Sequence, residues 1–285
     1  MKITNHLGLP APLVAAAASN YEPDPREWRV TSLLKGTREA VLERRHAAEI
    51  ERDAADMIWL VFGTAVHTLL AASTETEAQI KEERLRVPVG DYVLTGQFDL
   101  YDADEEVVID YKTASVWKII YGDFADWRRQ LLIYAWILRE TGFDCRAGQV
   151  VALLKDHSKR EAKHRAGYPP YPVYVQRFEF AEADFVECKA WLEAKFAEIK
   201  AAEALPDALL PPCTDEERYN DGAKYAVMAK GKKRALRVLD SREEAEAWIK
   251  SNGGDSIEER PGEDKKCLEY CAAAAFCSHY QSMEA

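Results

Sequence analysis

Apolar and polar positions alternate most clearly in the middle of the chain. Residues 82–87 alternate into a strand, 88–91 supply a turn, and 92–94 resume as a second strand. A third begins after the polar turn at 102–106, where Val107, Val108 and Ile109 give the β-branched run of a buried strand. Residues 125–140 have helical spacing that ends at Gly142, and residues 147–154 (AGQVVALL) predict another buried strand. A basic loop at 155–165 follows. Upstream, Thr31 or Ser32 is positioned to cap a helical run that extends to Ser73, with break points at Gly36 and Gly63. Its second part, residues 54–72, is apolar enough to pack on the sheet. The pattern predicts an α/β protein, a mixed sheet flanked by helices.

Beyond residue 182 the composition changes. An amphipathic helix over 183–204 is stopped by the prolines at 206–212. Two short strands, 225–229 and 235–240, flank the basic turn 230–234. Ser241 with Glu244 forms a capping box for the next helix, and 256–260 read as a last strand. The segments fall into an N-terminal stretch (1–30), a main domain (31–205) and a C-terminal α/β subdomain (206–285).

The central stretch also carries candidate chemistry. Asp110 and Lys112 are two apart, so on a strand they share a face. Asp99, near the end of the preceding strand, reaches that face across the pair. Two carboxylates and an ammonium converging on one point suit Mg2+ or Mn2+ and a phosphodiester. Taken alone, Asp-x-Lys equally describes an acidic turn with one surface salt bridge. His67 lies four residues after Gly63 in the apolar helical run, as a core histidine or as an imidazole ligand for the same cation. Gln130 and Tyr134, four apart on the 125–140 helix, share a face that points phosphate-binding or lysine-binding groups one way, or is an ordinary polar helix edge.

The order His67, Gly96-x-x-Asp99, Asp110-x-Lys112, Gln130-x3-Tyr134 resembles the RecB-type branch of the PD-(D/E)XK nuclease superfamily over about residues 31–155. The resemblance implies a restriction-endonuclease-like mixed-sheet core. It implies that His67, Asp99, Asp110 and the Tyr111 carbonyl bind Mg2+ or Mn2+. Lys112 would be the catalytic lysine, with Gln130 and Tyr134 contacting substrate near the scissile phosphate. Glu83 is a further acidic group in reach of this set. The ITNHLGLPAPLV opening, VTSLL, PPCTDEERY and CLEYCAAAAFC resemble nuclease-like proteins of bacteriophages and prophages. The implied function is a metal-dependent DNA exonuclease in phage recombination, repair or processing, with phage recombination proteins as possible partners. The alternative is a DNA-end or recombination-partner binding module on a nuclease fold.

Cysteine spacing adds a second centre. Cys267-x3-Cys271-x5-Cys277 is clustered, and Cys213 stands across an excursion of 53 residues. Four thiolates suit tetrahedral zinc or an iron–sulfur cluster. RecB-type relatives such as AddB-like and CRISPR-adaptation exonucleases imply a 4Fe–4S cluster. Here Cys213 replaces the cysteine those proteins carry before the core, and the first spacing is longer by one. Buried thiols on a terminal helix are the plain alternative. Cys145 and Cys188 stand alone and read as structural, and His279 is a spare ligand at most.

Charge and length limit these readings. A net charge of −11 over 285 residues argues against a protein that coats nucleic acid indiscriminately. Local cations are still available as walls of a DNA channel: Lys155, Lys159, Arg160, Lys163, Arg165 and the 230–234 turn. Residues 7–18 are apolar but broken by Pro10 and Pro12, and no stretch reaches bilayer length. A cytoplasmic protein without membrane segments, its cysteines initially thiols, is the expectation.

Overall fold

The structure is a computed structural model and describes residues 1–18, 24–74 and 76–284. Positions 20–23, just ahead of the first helix-start signal, lie outside the described residues. The chain divides into two compact units, residues 1–37 with 47–204, and residues 38–46 with 205–285.

The first unit opens with β1 (Lys2–Thr4), α1 (Ala11–Ala17), β2 (Glu27–Arg29) and α2 (Val30–Leu33). The chain then passes through α3 (Thr37–Arg45), most of which belongs to the second unit. It returns as β3 (Glu51–Asp53), parallel to β1, and continues into α4 (Ile58–Ala71). The expected long helical run is therefore cut twice, near Gly36 and by β3, and not at Gly63, which sits inside α4. The Thr31 or Ser32 cap is not formed, because α2 already starts at Val30. α4 also differs from expectation in packing: apolar as it is, none of its residues is buried.

The sheets that carry the site follow. β4 (Gln79–Lys81), β5 (Arg84–Val89), β6 (Tyr92–Gln97), β7 (Leu100–Asp102), β8 (Val107–Ala114), β9 (Ala147–Leu154) and β10 (Val173–Glu179) are connected mainly by short turns. Five of the strands form one sheet in the order β10-β9-β8-β7-β4, and β2-β6-β5 form a second. The large sheet is mixed. β8 and β9 run parallel, with Asp110 opposite Val150, while β7 is antiparallel to β8. α5 (Val116–Tyr121) and α6 (Ala125–Glu140) separate β8 from β9 and supply the crossover that a parallel pair requires. α7 (Lys159–His164) occupies the segment expected to be a loop, started by the Ser158 side chain, which accepts from the Glu161 N–H.

α6 is the core helix, with Trp127 and every residue from Gln130 to Leu138 buried. Each large apolar side chain among them contributes about 1.5–3 kcal/mol on burial. The helix lies close to the sheet because two strand positions have no side chain. A Cβ on Gly148 would stand 2.7 Å from Leu131 Cβ, and one on Gly96 would stand 2.8 Å from Ile137 Cδ1. α8 (Glu182–Glu203) packs with α6 and buries Phe185, Leu192, Phe196 and Ile199. Cys145 and Cys188 are buried and free in this unit.

In the second unit, β11 (Lys224–Met228) is the middle of a three-stranded antiparallel sheet with β12 (Arg237–Leu239) and β13 (Ser256–Arg260). Helix α9 (Arg242–Asn252) is capped as its sequence predicts, Ser241 accepting from the Glu244 N–H at 3.1 Å. Two short helices, α10 (Lys265–Glu269) and α11 (Ser278–Glu284), close the chain. The α3 segment joins them through polar contacts. Arg38 donates to the Leu210 carbonyl at 2.5 Å, Lys266 pairs with Glu39 at 2.6 Å, and His46 stacks on Phe276 with ring centroids 4.0 Å apart. No described helix is long and apolar enough to cross a membrane.

Candidate active site

Three strands and two helices of the first unit bring the predicted residues together. Asp99 follows β6 and precedes β7, and its Oδ2 accepts the Tyr111 backbone N–H of β8 at 2.6 Å. Its other oxygen, Oδ1, lies 3.0 Å from His67 Nδ1. α4 passes over β8 where it carries His67: a Cβ on Gly63, one turn earlier, would be in ordinary contact, 3.6 Å from Thr113 Oγ1, so packing does not require a glycine there.

Asp110, one position before Tyr111 on β8, is 4% exposed. Gln130 Nε2 donates to its Oδ1 at 3.2 Å, and Lys112 Nζ is 2.8 Å from its Oδ2. Both oxygens of this buried carboxylate are therefore partnered, one by an amide and one by an ammonium. Gln130 also accepts from Lys112 Nζ at 2.9 Å and donates to the Tyr134 hydroxyl at 3.2 Å. Lys112, Asp110, Gln130 and Tyr134 therefore form one connected set, and His67, Asp99 and the Tyr111 amide form another beside it. Gln130 and Tyr134 are themselves buried; Gln130 touches both Lys112 and Asp110, and Tyr134 joins them through Gln130 while lining a cavity with Glu82 and Asp99.

The sequence reading missed one member. The acidic group brought next to His67 and Asp99 is Glu82, not Glu83, and one ligand atom from each of these three residues lies within 4.8 Å of the others. Glu82 adopts a positive φ of 51° between β4 and β5 and donates its N–H to the Asp99 carbonyl at 3.2 Å. That kink breaks the alternation that pattern reading assumed. Gln97 secures it, donating to Glu82 Oε2 at 2.8 Å.

The site's electrostatics attract positive charge. The Asp99 hydrogen bond raises the His67 imidazole above its usual value, and the charges of Asp99, Asp110 and Glu82 act in the same direction. Burial raises the Asp110 carboxyl, with Asp99 adding to it and Lys112 opposing. Burial, then Asp110, raise the Tyr134 hydroxyl, which stays protonated. Two clustered carboxylates, Glu82 and Asp99, with the His67 imidazole are a hard donor set of the kind a divalent cation takes, and the buried Asp110, paired with Lys112, stands beside them.

In the second unit, Cys213, Cys267, Cys271 and Cys277 line one cavity together with Arg218 and Lys266. All four are free thiols. Burial pushes Cys213 up to about 11 and Cys271 up to about 12. His279 is held by Asp264, 2.7 Å from its Oδ2, within a cluster that also includes Cys267.

Among solved structures, the chain is similar to the SSO0001 protein, at 16% identity and a TM-score of 0.46, over 65% of this chain and 83% of that one. It is also similar to the alkaline exonuclease LHK-Exo from Laribacter hongkongensis, at 15% identity and a TM-score of 0.36, over 60% and 90% of the two chains. A phage-related exonuclease from Haemophilus somnus gives 12% identity and a TM-score of 0.29, over 61% and 95%. No curated protein matches the sequence. The sequence itself matches the PD-(D/E)XK nuclease superfamily from residue 13 to residue 278, across every element that carries the site, and the chain belongs to that superfamily.

Proposed function

We propose that the chain is a divalent-metal-dependent deoxyribonuclease, acting as an exonuclease, with Mg2+ or Mn2+ as its cation. The observation that carries this is the convergence of His67, Glu82 and Asp99, whose ligand atoms lie within 4.8 Å of one another, beside a buried Asp110 that is paired with Lys112 at 2.8 Å. Burying a carboxylate and an ammonium together next to further acids is costly and is retained where a site uses the charge. Asp99, Asp110, His67 and the Tyr111 carbonyl would hold the cation, with Glu82 beside them. Bound there, the cation would polarise a phosphodiester oxygen and make water a better nucleophile.

The chain's own groups do the rest. Lys112 carries a positive charge to where negative charge develops on the phosphate. Gln130 sets its position by accepting from Nζ while donating to Asp110, so the lysine and the carboxylate move as one piece. Tyr134, protonated and buried, closes the chain behind Gln130. The cysteine cavity would hold a 4Fe–4S cluster, or zinc, as a staple of the second unit. The sequence resemblance supports a phage or prophage setting in DNA recombination, repair or processing.

The test is cleavage of end-labelled linear and covalently closed circular DNA with Mg2+ or Mn2+, comparing wild type with Asp110→Ala and Lys112→Ala. Loss of linear DNA only, abolished in both variants, is the expected result. Cutting of closed circles would make the enzyme an endonuclease. Binding without cleavage, equal in all three proteins, would leave a DNA-end binding module instead.

A further inference from the structure

The first unit exposes aromatic rings in an unusual setting. α4 carries Trp59 and Phe62 at its start, both exposed, with ring centroids 6.2 Å apart and perpendicular. α5 carries Trp117 and Tyr121, also exposed, 6.0 Å apart. Each tryptophan lies under a cation: Lys155 Nζ is 4.1 Å from the Trp59 ring centre, and the Arg165 guanidinium carbon is 4.7 Å from that of Trp117. Soluble surfaces scatter apolar side chains singly. Two aromatic pairs, each topped by a cation, are not a scatter.

Their place in the fold ties them to the site. Trp59 and His67 are eight residues apart on one helix, so the ring lies about 12 Å along it from the imidazole. α5 begins just after β8, the strand that carries Asp110 and Lys112. The turn bearing Lys155 is bound to that junction: its N–H donates to the Ala114 carbonyl at 3.0 Å, and Asp156 accepts from the Val116 N–H at 2.8 Å. In a chain of net charge −11, residues 155–165 hold five lysines and arginines against two acids.

We infer that Trp59 and Trp117, with Lys155 and Arg165, form a stacking platform for single-stranded DNA beside the active site, so that the strand being cut carries unpaired nucleotides. This rests on the nuclease reading above. Aromatic faces under cations fit bases and phosphates of one strand, the rings taking a base face and the cations the backbone. Bases inside a duplex are already stacked and offer only their edges. An apolar protein partner would have to bury Lys155 and Arg165 away from water, at a cost that the rings alone do not offset.

The experiment uses the full chain in EDTA, where no cleavage occurs. Anisotropy and tryptophan fluorescence report the binding of labelled oligothymidylate, of an abasic oligonucleotide of equal length, and of a duplex. Wild type is expected to bind oligothymidylate with quenching, and the abasic strand more weakly and without it. Trp59→Ala with Trp117→Ala together should weaken oligothymidylate binding by about tenfold or more. The Phe double variant should keep most of it. Equal affinity for the abasic strand, or an unchanged double Ala variant, overturns the platform. So does an oligomer in wild type that the Ala variant dissolves, which would make the surface a contact between copies. Cleavage of single-stranded and duplex DNA in Mg2+ or Mn2+ is read separately: if the wild type binds and quenches but cleaves neither, the nuclease reading fails and the platform stands.

Discussion

A Cβ on Gly96 would stand 3.1 Å from Tyr134 Cδ1, so the glycine of the Gly-x-x-Asp motif and the tyrosine of the Gln-x3-Tyr motif are one packing unit. The glycine lets α6 approach close enough for Gln130 to reach Asp110. Gly148 does the same job against Leu131, the residue after Gln130. Gly96→Ala meets the far end of Ile137, which can turn aside, but it also presses on Tyr134. It should cost about 1 kcal/mol and lower activity clearly. Gly148→Ala meets Leu131 Cβ, fixed to the helix backbone, and should cost more, about 2–3 kcal/mol, and lower activity as well by shifting the turn that carries Gln130. Urea denaturation beside specific activity decides it.

Asp110→Asn tests whether the carboxylate is kept for its charge. Burial already disfavours the ionised form, and an amide has no charge to desolvate. In metal-free buffer the variant should melt no lower than wild type, since Gln130 still holds Lys112. Mg2+ should raise the melting temperature of the wild type and not that of the variant, and cleavage should fall by about a hundredfold or more. A variant that melts lower without metal would mean the carboxylate is structural.

Much of this was legible in the sequence, and what was not has identifiable causes. Residues 125–140 and 147–154 form α6 and β9 with the expected bounds, because each has a single strong period and a clear stop. Asp110 and Lys112 share a face because a strand allows nothing else. Glu82 was missed because its positive φ moves it out of the period on which strand reading depends. β10 escaped because its inward positions are only half-buried, so the alternation is weak. The 54–72 run misled for the opposite reason. Apolar content normally means burial, yet α4 stays exposed, and its rings find cations instead.

If Gln130 positions Lys112 against Asp110, its variants should rank in a particular order. Gln130→Leu removes the donor to Asp110 and the acceptor from Lys112 at once. Expected is a drop in kcat of about ten- to a hundredfold with KM little changed, since Lys112 loses its orientation but not its charge. Gln130→Glu keeps the size and the acceptor but places a second buried carboxylate against Asp110. It should be the worse variant in stability, by roughly 1–3 kcal/mol, despite being closer in shape. Steady-state kinetics and thermal melts on both variants check the ranking. Equal stability of the two would mean that the pocket hydrates or protonates the added carboxylate without cost.

The cysteine cavity gives a prediction about metal content. Burial pushes Cys213 up to about 11 and Cys271 up to about 12 and raises Cys267, so these three thiols resist ionisation at neutral pH. Cluster or zinc binding requires thiolates, and Arg218 and Lys266 in the wall would offset part of their charge. Protein purified anaerobically should therefore contain iron, and Cys267→Ser or Cys271→Ser should lose most of it and melt several degrees lower. Cys188→Ser is the control, because that thiol is buried in α8, outside the cavity: it should cost packing stability while leaving the metal content unchanged. Zinc in place of iron would identify the staple as tetrahedral, with the same losses in the variants. Metal-free protein that melts as high as any metal-loaded preparation would mean that the four thiols are core residues, and the second unit would then have to be stable on its β11 sheet and the Arg38 contacts alone.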